Sequence, residues 1–334
     1  MERRRDFLKK LAGLTAGLTL PVSLLAWEEE QSDREGLLLP TRKLGKTGES
    51  ITMLGVGGFH IHWTTDMDAR DVITMAIQNG IRFFDTAESY GPQVSEIRYG
   101  RYLTPKYRDL VYLMTKTTAR DPETARRHLE GSLERMRTDY LDLWQIHSLR
   151  DPEDVDERID NGVLDVFLEA KKSGKVRHIG FTGHQNPYAF LRMLERTENT
   201  DIWDAAQMPI SPLDAASTHS FTALVLPELA KRNIGVLAMK TLADGRFFAE
   251  KNLHQWHTDN PIVPDVMSIA DTQNFAWSLP ISTLITGAEN PRFLEEKIGL
   301  ARQFKQLREE DRLALIDRVS DLSVYGSLEY YKNV

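Results

Sequence analysis

The sequence predicts an α/β protein folded as a single (β/α)8 TIM barrel. Eight short apolar runs, near residues 51–56, 81–85, 110–115, 141–146, 176–182, 203–207, 234–239 and 281–286, alternate with helical patterns. Such alternation implies parallel strands joined by right-handed crossovers. Several of the runs break off into ionisable residues, as buried strands do at the C-terminal rim of a barrel. Eight units of this kind close on themselves rather than forming an open doubly wound sheet, and the chain shows neither an internal repeat nor a second domain.

Taken in order, residues 1–26 read as a targeting segment. A basic start with Arg3, Arg4, Arg5, Lys9 and Lys10 precedes a mildly apolar stretch, Leu11 to Ala26, interrupted by Gly13, Gly17 and Pro21. That stretch is short for a membrane span and has the layout of a signal peptide. The run Arg4-Arg5-Asp6-Phe7-Leu8-Lys9 resembles the twin-arginine export signal. The resemblance implies that the twin-arginine machinery carries the folded protein to a periplasmic or other extracytoplasmic location. An amphipathic cytoplasmic helix or an uncleaved anchor is the competing reading. Cleavage after Ala26 fits a small residue there, whereas Leu24 is a poor match two positions earlier. Residues 27–40, acidic and polar through Glu35, read as a linker, and residues 41–334 as the barrel.

Within Leu39 to Thr52, Gly45-Lys46-Thr47-Gly48 marks a turn between two extended runs, an N-terminal β-hairpin. The spacing of a Walker phosphate loop is missing there. Asp66 to Gln78, with Val72, Ile73, Ala76 and Ile77 on one side and Gly80 beyond its end, reads as an amphipathic helix. Asp121-Pro122-Glu123 and Asn186-Pro187 read as helix starts, each a capping side chain followed by proline. Leu242 to Pro264 is a long irregular insertion carrying Arg246, Phe247, Phe248, His254, Trp256 and His257. Loops of that length are usually functional or disordered.

The bulk properties narrow the function. The chain has 334 residues, 41% hydrophobic and 27% charged, enough for one large core. It has no cysteine, which excludes disulfides, iron–sulfur clusters and thiol catalysis. The net charge is −7; residues 1–26 carry five cations against Glu2 and Asp6, a net +3, which leaves −10 on the remainder. An acidic body without basic runs argues against a nucleic-acid surface.

The chemistry concentrates in Ile81-Arg82-Phe83-Phe84-Asp85-Thr86-Ala87-Glu88-Ser89-Tyr90-Gly91, an apolar run that opens into polar groups. Val111 to Thr115 likewise ends in Lys116, and Leu141 to Ile146 in His147. Asp85, Tyr90, Lys116 and His147 are therefore expected to converge on one rim. Together with Ser132-Leu133-Glu134-Arg135-Met136, Asp139-Tyr140-Leu141-Asp142-Leu143 and Ile285-Thr286-Gly287-Ala288, these motifs make the chain, from about Leu44 to about Arg302, similar to the aldo-keto reductase family.

The resemblance implies an NAD(P)H-dependent oxidoreductase that reduces a small-molecule carbonyl (an aldehyde, ketone or sugar) or runs the reverse. The cofactor supplies the hydride and Tyr90 the proton. An ammonium at Lys116 is expected to lower the phenol's pKa from its ordinary value of about 10. Asp85 would hold Lys116 charged, and His147 would donate to the carbonyl oxygen. For the cofactor, the resemblance implies Gln207 on the carboxamide, with Thr182 where serine is usual. Gly183 stands where asparagine is common, with His184 as a candidate substitute. Met239, beside Lys240, stands where an aromatic often stacks, and reads equally well as a core residue. Gly287, Ala288, Arg292 and Glu296 correspond to the adenosine-phosphate clamp, where Phe293 holds the usual arginine position and Lys297 replaces an asparagine. Cations at that clamp favour NADP(H) over NAD(H). The hairpin would close the barrel floor. Substrate loops would be Phe59 to Trp63, the 242–264 insertion, and the tail around Tyr325, Tyr330 and Tyr331.

Two other classes compete. His60-Ile61-His62, after the first strand, has the spacing of metal ligands in an amidohydrolase-like barrel, with His147, His184 and His219 as further candidates. That reading requires an aspartate at the end of the last strand, where Thr286-Gly287-Ala288 stands. A cofactor-loaded binding or sensing subunit is the other, and the complete set Asp85, Tyr90, Lys116 and His147 argues against it.

Overall fold

A computed structural model of the protein describes residues 27–28, 31–243, 251–252, 255–256, 266–323 and 328–332. Residues 1–26, read above as a targeting segment, Arg246, Phe247, Phe248, His254 and His257 of the insertion, and Tyr325 lie outside the described residues.

Eight strands form a closed barrel: β1 (Leu54–Gly57), β2 (Phe83–Asp85), β3 (Tyr112–Thr117), β4 (Leu141–Ile146), β5 (Val176–Thr182), β6 (Ala205–Pro209), β7 (Gly235–Met239) and β8 (Thr283–Thr286). Neighbours pair in parallel and in sequence order, and β8 returns to β1. Alternation along each strand sorts side chains to two cores. Phe83, Tyr112, Met114, Leu143, Ala205, Leu237 and Ile285 fill the lumen, whereas Phe84, Leu113, Trp144 and Ala206 face the surrounding helices.

The helices begin as their sequences dictate. After α1 (Gly58–Trp63), α2 (Asp66–Gln78) opens at Thr65, whose side chain accepts from Asp68 N–H. α3 (Val94–Tyr102) follows β2, and α4 (Pro122–Met136) opens at Asp121, which accepts from Thr124 N–H. α5 (Pro187–Arg196) opens at Asn186 and α6 (Pro212–Ala216) at Ser211. α7 (Pro291–Arg302) opens at Asn290, and α8 (Glu309–Ser323) packs on α6. Proline after the cap loses no hydrogen bond, because that N–H has no helical acceptor.

Three expectations change. The run 51–56 is two elements that part at Met53. Ser50–Thr52 pairs antiparallel with Thr41–Lys43, and Leu54 starts β1. Met53 serves both: its N–H donates to Pro40 O at 2.8 Å, and its carbonyl accepts from Leu284 N–H and Trp277 Nε1. Leu44 and Ile51 of this hairpin join the lumen core, so it closes the barrel floor. Strands elsewhere sit up to two residues later than the apolar runs suggest, because the residue entering each strand is as buried as those within it.

The stretch read as a linker also carries structure. Ser32–Asp33 pairs with Gly36–Leu37, and Glu28 bridges Thr41. The Asp33 carboxylate accepts from Arg82 Nε at 2.6 Å and from its terminal nitrogen at 2.8 Å, and the Arg82 bond holds it below the usual carboxylate range. The Arg42 guanidinium lies 3.7 Å over Trp27. Composition registers these charges but not the partners that neutralise them. Finally, His60-Ile61-His62 belongs to a short helix, α1, rather than a loop.

Candidate active site

The rim at the C-terminal ends of the strands gathers the four expected residues. Asp85 ends β2, and the chain turns through Thr86 to Gly91 before α3. Lys116, the penultimate residue of β3, is 1% exposed. Its ammonium donates to Asp85 Oδ1, to Thr86 O at 2.8 Å and to the Tyr90 hydroxyl at 3.3 Å. Three protons thus have three acceptors, which holds the ammonium in one orientation. Asp85 also accepts from Gly58 N–H and from Gln207. His147 follows β4; its backbone N–H donates to Thr117 O at 2.8 Å. Its ring stands edge-on to Tyr90, with centroids 5.6 Å apart, and its Nδ1 lies 3.4 Å from Ser89 Oγ.

The electrostatics correct one expectation. Burial, then the carboxylates of Asp85 and Glu88, hold the Tyr90 phenol well above its ordinary range. Lys116 does not reverse this, since Asp85 neutralises it at closer range. Tyr90 is therefore kept as an acid. Burial, then the Lys116 charge, holds His147 well below the usual histidine range, so its ring is neutral. Burial pushes the Asp85 carboxyl up and the Lys116 ammonium down, and their contact pulls both back.

Aromatic rings wall the site. Phe59 stands edge-on to Tyr90 at 5.4 Å and to His62 at 4.9 Å, with Trp63 at 5.9 Å. The two histidines of α1 do not share a centre. His60 Nε2 lies 3.3 Å from Glu289 Oε1, and its ring fills the space where Gly287 would carry a Cβ; His62 packs on Gly91. Among the described residues no cluster of three His, Cys, Asp or Glu could hold a metal, so the hydrolase reading finds no support.

The nicotinamide reading passes a test at Gln207. This residue is 2% exposed, beside Thr182 in register, and bonds Asp85. Its Oε1 has no hydrogen-bond partner within the protein. Gln207 lies in the middle of β6 rather than at its end, and a buried amide oxygen without a partner there is a ready acceptor for a carboxamide N–H. Thr182 is buried; Met239 is half-buried at the end of β7, and Lys240 places its ammonium 5.0 Å over the Tyr331 ring. Ala288 is buried, and Arg292 and Glu296 are exposed on α7, whose first turn holds no acid.

Two cofactor expectations shift. Gly287 must lack a side chain because of His60, whatever approaches its amide, and Lys297 donates to the Gly287 carbonyl. Gly183 cannot carry an asparagine, since a Cβ would lie 2.6 Å from Leu149 O. His184, the candidate substitute, has its Nδ1 3.3 Å from Tyr331 O. Sequence reasoning missed Glu88 and a tail cluster of Asp214, Glu329 and Lys332. Glu88 stood in view within the polar stretch after β2, whereas the tail gave no local signal.

A phenol, an ammonium, a carboxylate and a neutral imidazole at the rim of a parallel barrel define a class of enzyme that moves a proton to or from a substrate oxygen. The Aldo/keto reductase family matches residues 53–279, more than half of the chain, and the protein belongs to that family. It is 33% identical over 158 residues to the uncharacterized oxidoreductase YrpG of Bacillus subtilis, a match spanning 47% of that protein. The uncharacterized oxidoreductase YqkF of the same organism is 26% identical over 308 residues, 82% of this chain and 94% of that protein. L-galactose dehydrogenase of Arabidopsis thaliana is 26% identical over 232 residues, 66% of this chain and 70% of that protein. In fold, the chain is similar to the holo form of aldo-keto reductase AKR11C1 from Bacillus halodurans, with a TM-score of 0.68 at 20% identity over 86% of this chain and 99% of that one.

Proposed function

We propose that the protein is an NAD(P)H-dependent oxidoreductase that reduces a small aldehyde, ketone or sugar carbonyl to an alcohol, or catalyses the reverse, outside the cytoplasm. The observation that carries the reading is the Lys116 ammonium, shared between Asp85, Thr86 O and Tyr90. When bound, the nicotinamide supplies or accepts the hydride. Tyr90, held protonated, gives its proton to the carbonyl oxygen as charge develops there; the Lys116 ammonium steadies the phenolate left behind, and Asp85 holds that ammonium in place. Neutral His147 donates one N–H to the same oxygen and orients it. Gln207 and Thr182 would hold the carboxamide, Met239 and Lys240 flank the ring's side of the site, and Gly287, Ala288, Arg292 and Glu296 lie at the adenosine end.

Arg292 and Lys297 favour NADP(H) over NAD(H). The segment Arg4 to Lys9 supports twin-arginine export, which would let the barrel load its cofactor before leaving the cytoplasm. The deciding experiment is mass spectrometry of small molecules released from the denatured, freshly purified protein, paired with carbonyl reduction by wild type and Tyr90→Phe. Bound dinucleotide and an inactive Tyr90→Phe are expected; an active Tyr90→Phe would refute the mechanism.

A further inference from the structure

Glu88 lies outside the set of four, yet its carboxylate is 6% exposed and tied on two sides. Oε2 accepts from the N–H of Ser89, the residue before Tyr90, at 2.9 Å. Oε1 accepts from Thr118 N–H at 2.8 Å and Thr118 Oγ1 at 2.6 Å, two residues past Lys116. The same oxygen is 3.3 Å from His128 Nδ1, on α4. That nitrogen lies 2.8 Å from Thr117 Oγ1, and the Thr117 carbonyl receives the His147 backbone N–H. One carboxylate thus links the loop bearing Tyr90, the strand end bearing Lys116 and, through Thr117, the strand end bearing His147.

We propose that Glu88 is a positioning residue for proton transfer: it braces the Tyr90 loop against Thr118 and His128 and so sets the phenol's distance from the Lys116 ammonium. The inference rests on Tyr90 as the proton donor. Lys116 holds the loop at Thr86 O and at the Tyr90 hydroxyl, and Glu88 ties it to Thr118 as well. Between Asp85 and Val94 it is irregular, and it passes through left-handed backbone at Gly91 (φ 62) and Gln93 (φ 73). A displacement of 1 Å in such a group can lower a rate about a hundredfold. Charge adds a second effect. The groups facing Tyr90 are Asp85, Glu88, Lys116 on β3, His147 at the end of β4 and the Phe59 ring of α1. Of the two anions, Asp85 is in contact with Lys116, whereas Glu88 is met by N–H and O–H groups and the His128 ring. Glu88 therefore adds its charge to burial and to Asp85 in keeping the phenol protonated.

Glu88→Gln keeps the size and an acceptor for Thr118 but removes the charge and the acceptor for Ser89. We expect kcat for carbonyl reduction to fall about tenfold to a hundredfold, with KM and dinucleotide affinity held within about twofold. The alkaline limb of the kcat–pH profile should move to lower pH, since the phenol ionises more easily without the neighbouring charge. Thr118→Val, which removes one of the bonds, should give a smaller loss of the same kind, and it decides the matter if Glu88→Gln does not fold. An unchanged kcat in both variants, or an equal collapse of kcat and cofactor affinity, overturns the brace. An active Tyr90→Phe measured alongside overturns the proton-donor reading as well, which separates the two failures.

Discussion

Tyr331 stands edge-on to His184, with ring centroids 5.6 Å apart and planes at 84°. The contact brings the C-terminal tail over the ends of β5 and β7. The tail is fixed by buried charge. Lys332 Nζ bonds Asp214 at 2.6 Å and Glu329 at 2.7 Å, and the Tyr331 hydroxyl donates to Glu329 at 2.8 Å. Asp214 further accepts from Ser220, Phe221 and Thr222. Removing the cation by Lys332→Ala should destabilise the protein by roughly 3 kcal/mol, because two carboxylates are left buried without it. Urea unfolding of wild type and variant measures this.

The same cluster gives a pH dependence. Burial, then Asp214, pushes the Glu329 carboxyl up to about 7 from its ordinary 4.5. The folded state then binds a proton that the unfolded chain releases, so stability falls as pH rises from about 4.5 to about 7. Glu329→Gln should flatten that interval. Melting temperatures of both proteins at pH 5 and pH 8 test the sign, and an equal fall in both would remove Glu329 from the account.

At the rim, Tyr90→Phe should lower carbonyl reduction by roughly a hundredfold to ten-thousandfold, while dinucleotide titration by fluorescence is nearly unchanged. Lys116→Met should be similarly inactive. Because burial and Lys116 hold His147 well below 6.5, kcat should show no inflection near that pH. A step there would place a charged imidazole in the working enzyme.

Gln207→Leu removes the buried Oε1 acceptor and the donor to Asp85. Dinucleotide affinity should drop about tenfold, the scale of one lost hydrogen bond of about 1.4 kcal/mol. Affinity equal to wild type would mean the nicotinamide is held elsewhere.

Replacing Arg4 and Arg5 with Lys should retain the protein in the cytoplasm. Cell fractionation with the unaltered protein as reference decides it. Unaltered protein found in the cytoplasm would overturn the export reading.

The sequence made the catalytic rim legible because each strand advertises its end. Phe84 gives way to Asp85, Thr115 to Lys116 and Ile146 to His147, so a change from apolar to ionisable residues marks both the boundary and the chemistry. Contacts between distant residues left no such mark. Asp33 finds Arg82 and Lys332 finds Asp214 only after the barrel closes. His60 looked like half of a metal motif because its spacing from His62 is visible, whereas its seat against Gly287 and Glu289 is not. The shift predicted for Tyr90 had the wrong sign for a related reason: the charge of Lys116 is visible in sequence, but burial and the neutralising contact with Asp85 are not.

The clasp between Asp33 and Arg82 has a consequence for orientation. It fastens residues 32–37 beneath the barrel, at the N-terminal end of β2, on the side away from Tyr90 and His147. Cutting that clasp, as Asp33→Ala would, should therefore loosen residues 32–37 from the barrel without altering access to the rim that carries Tyr90.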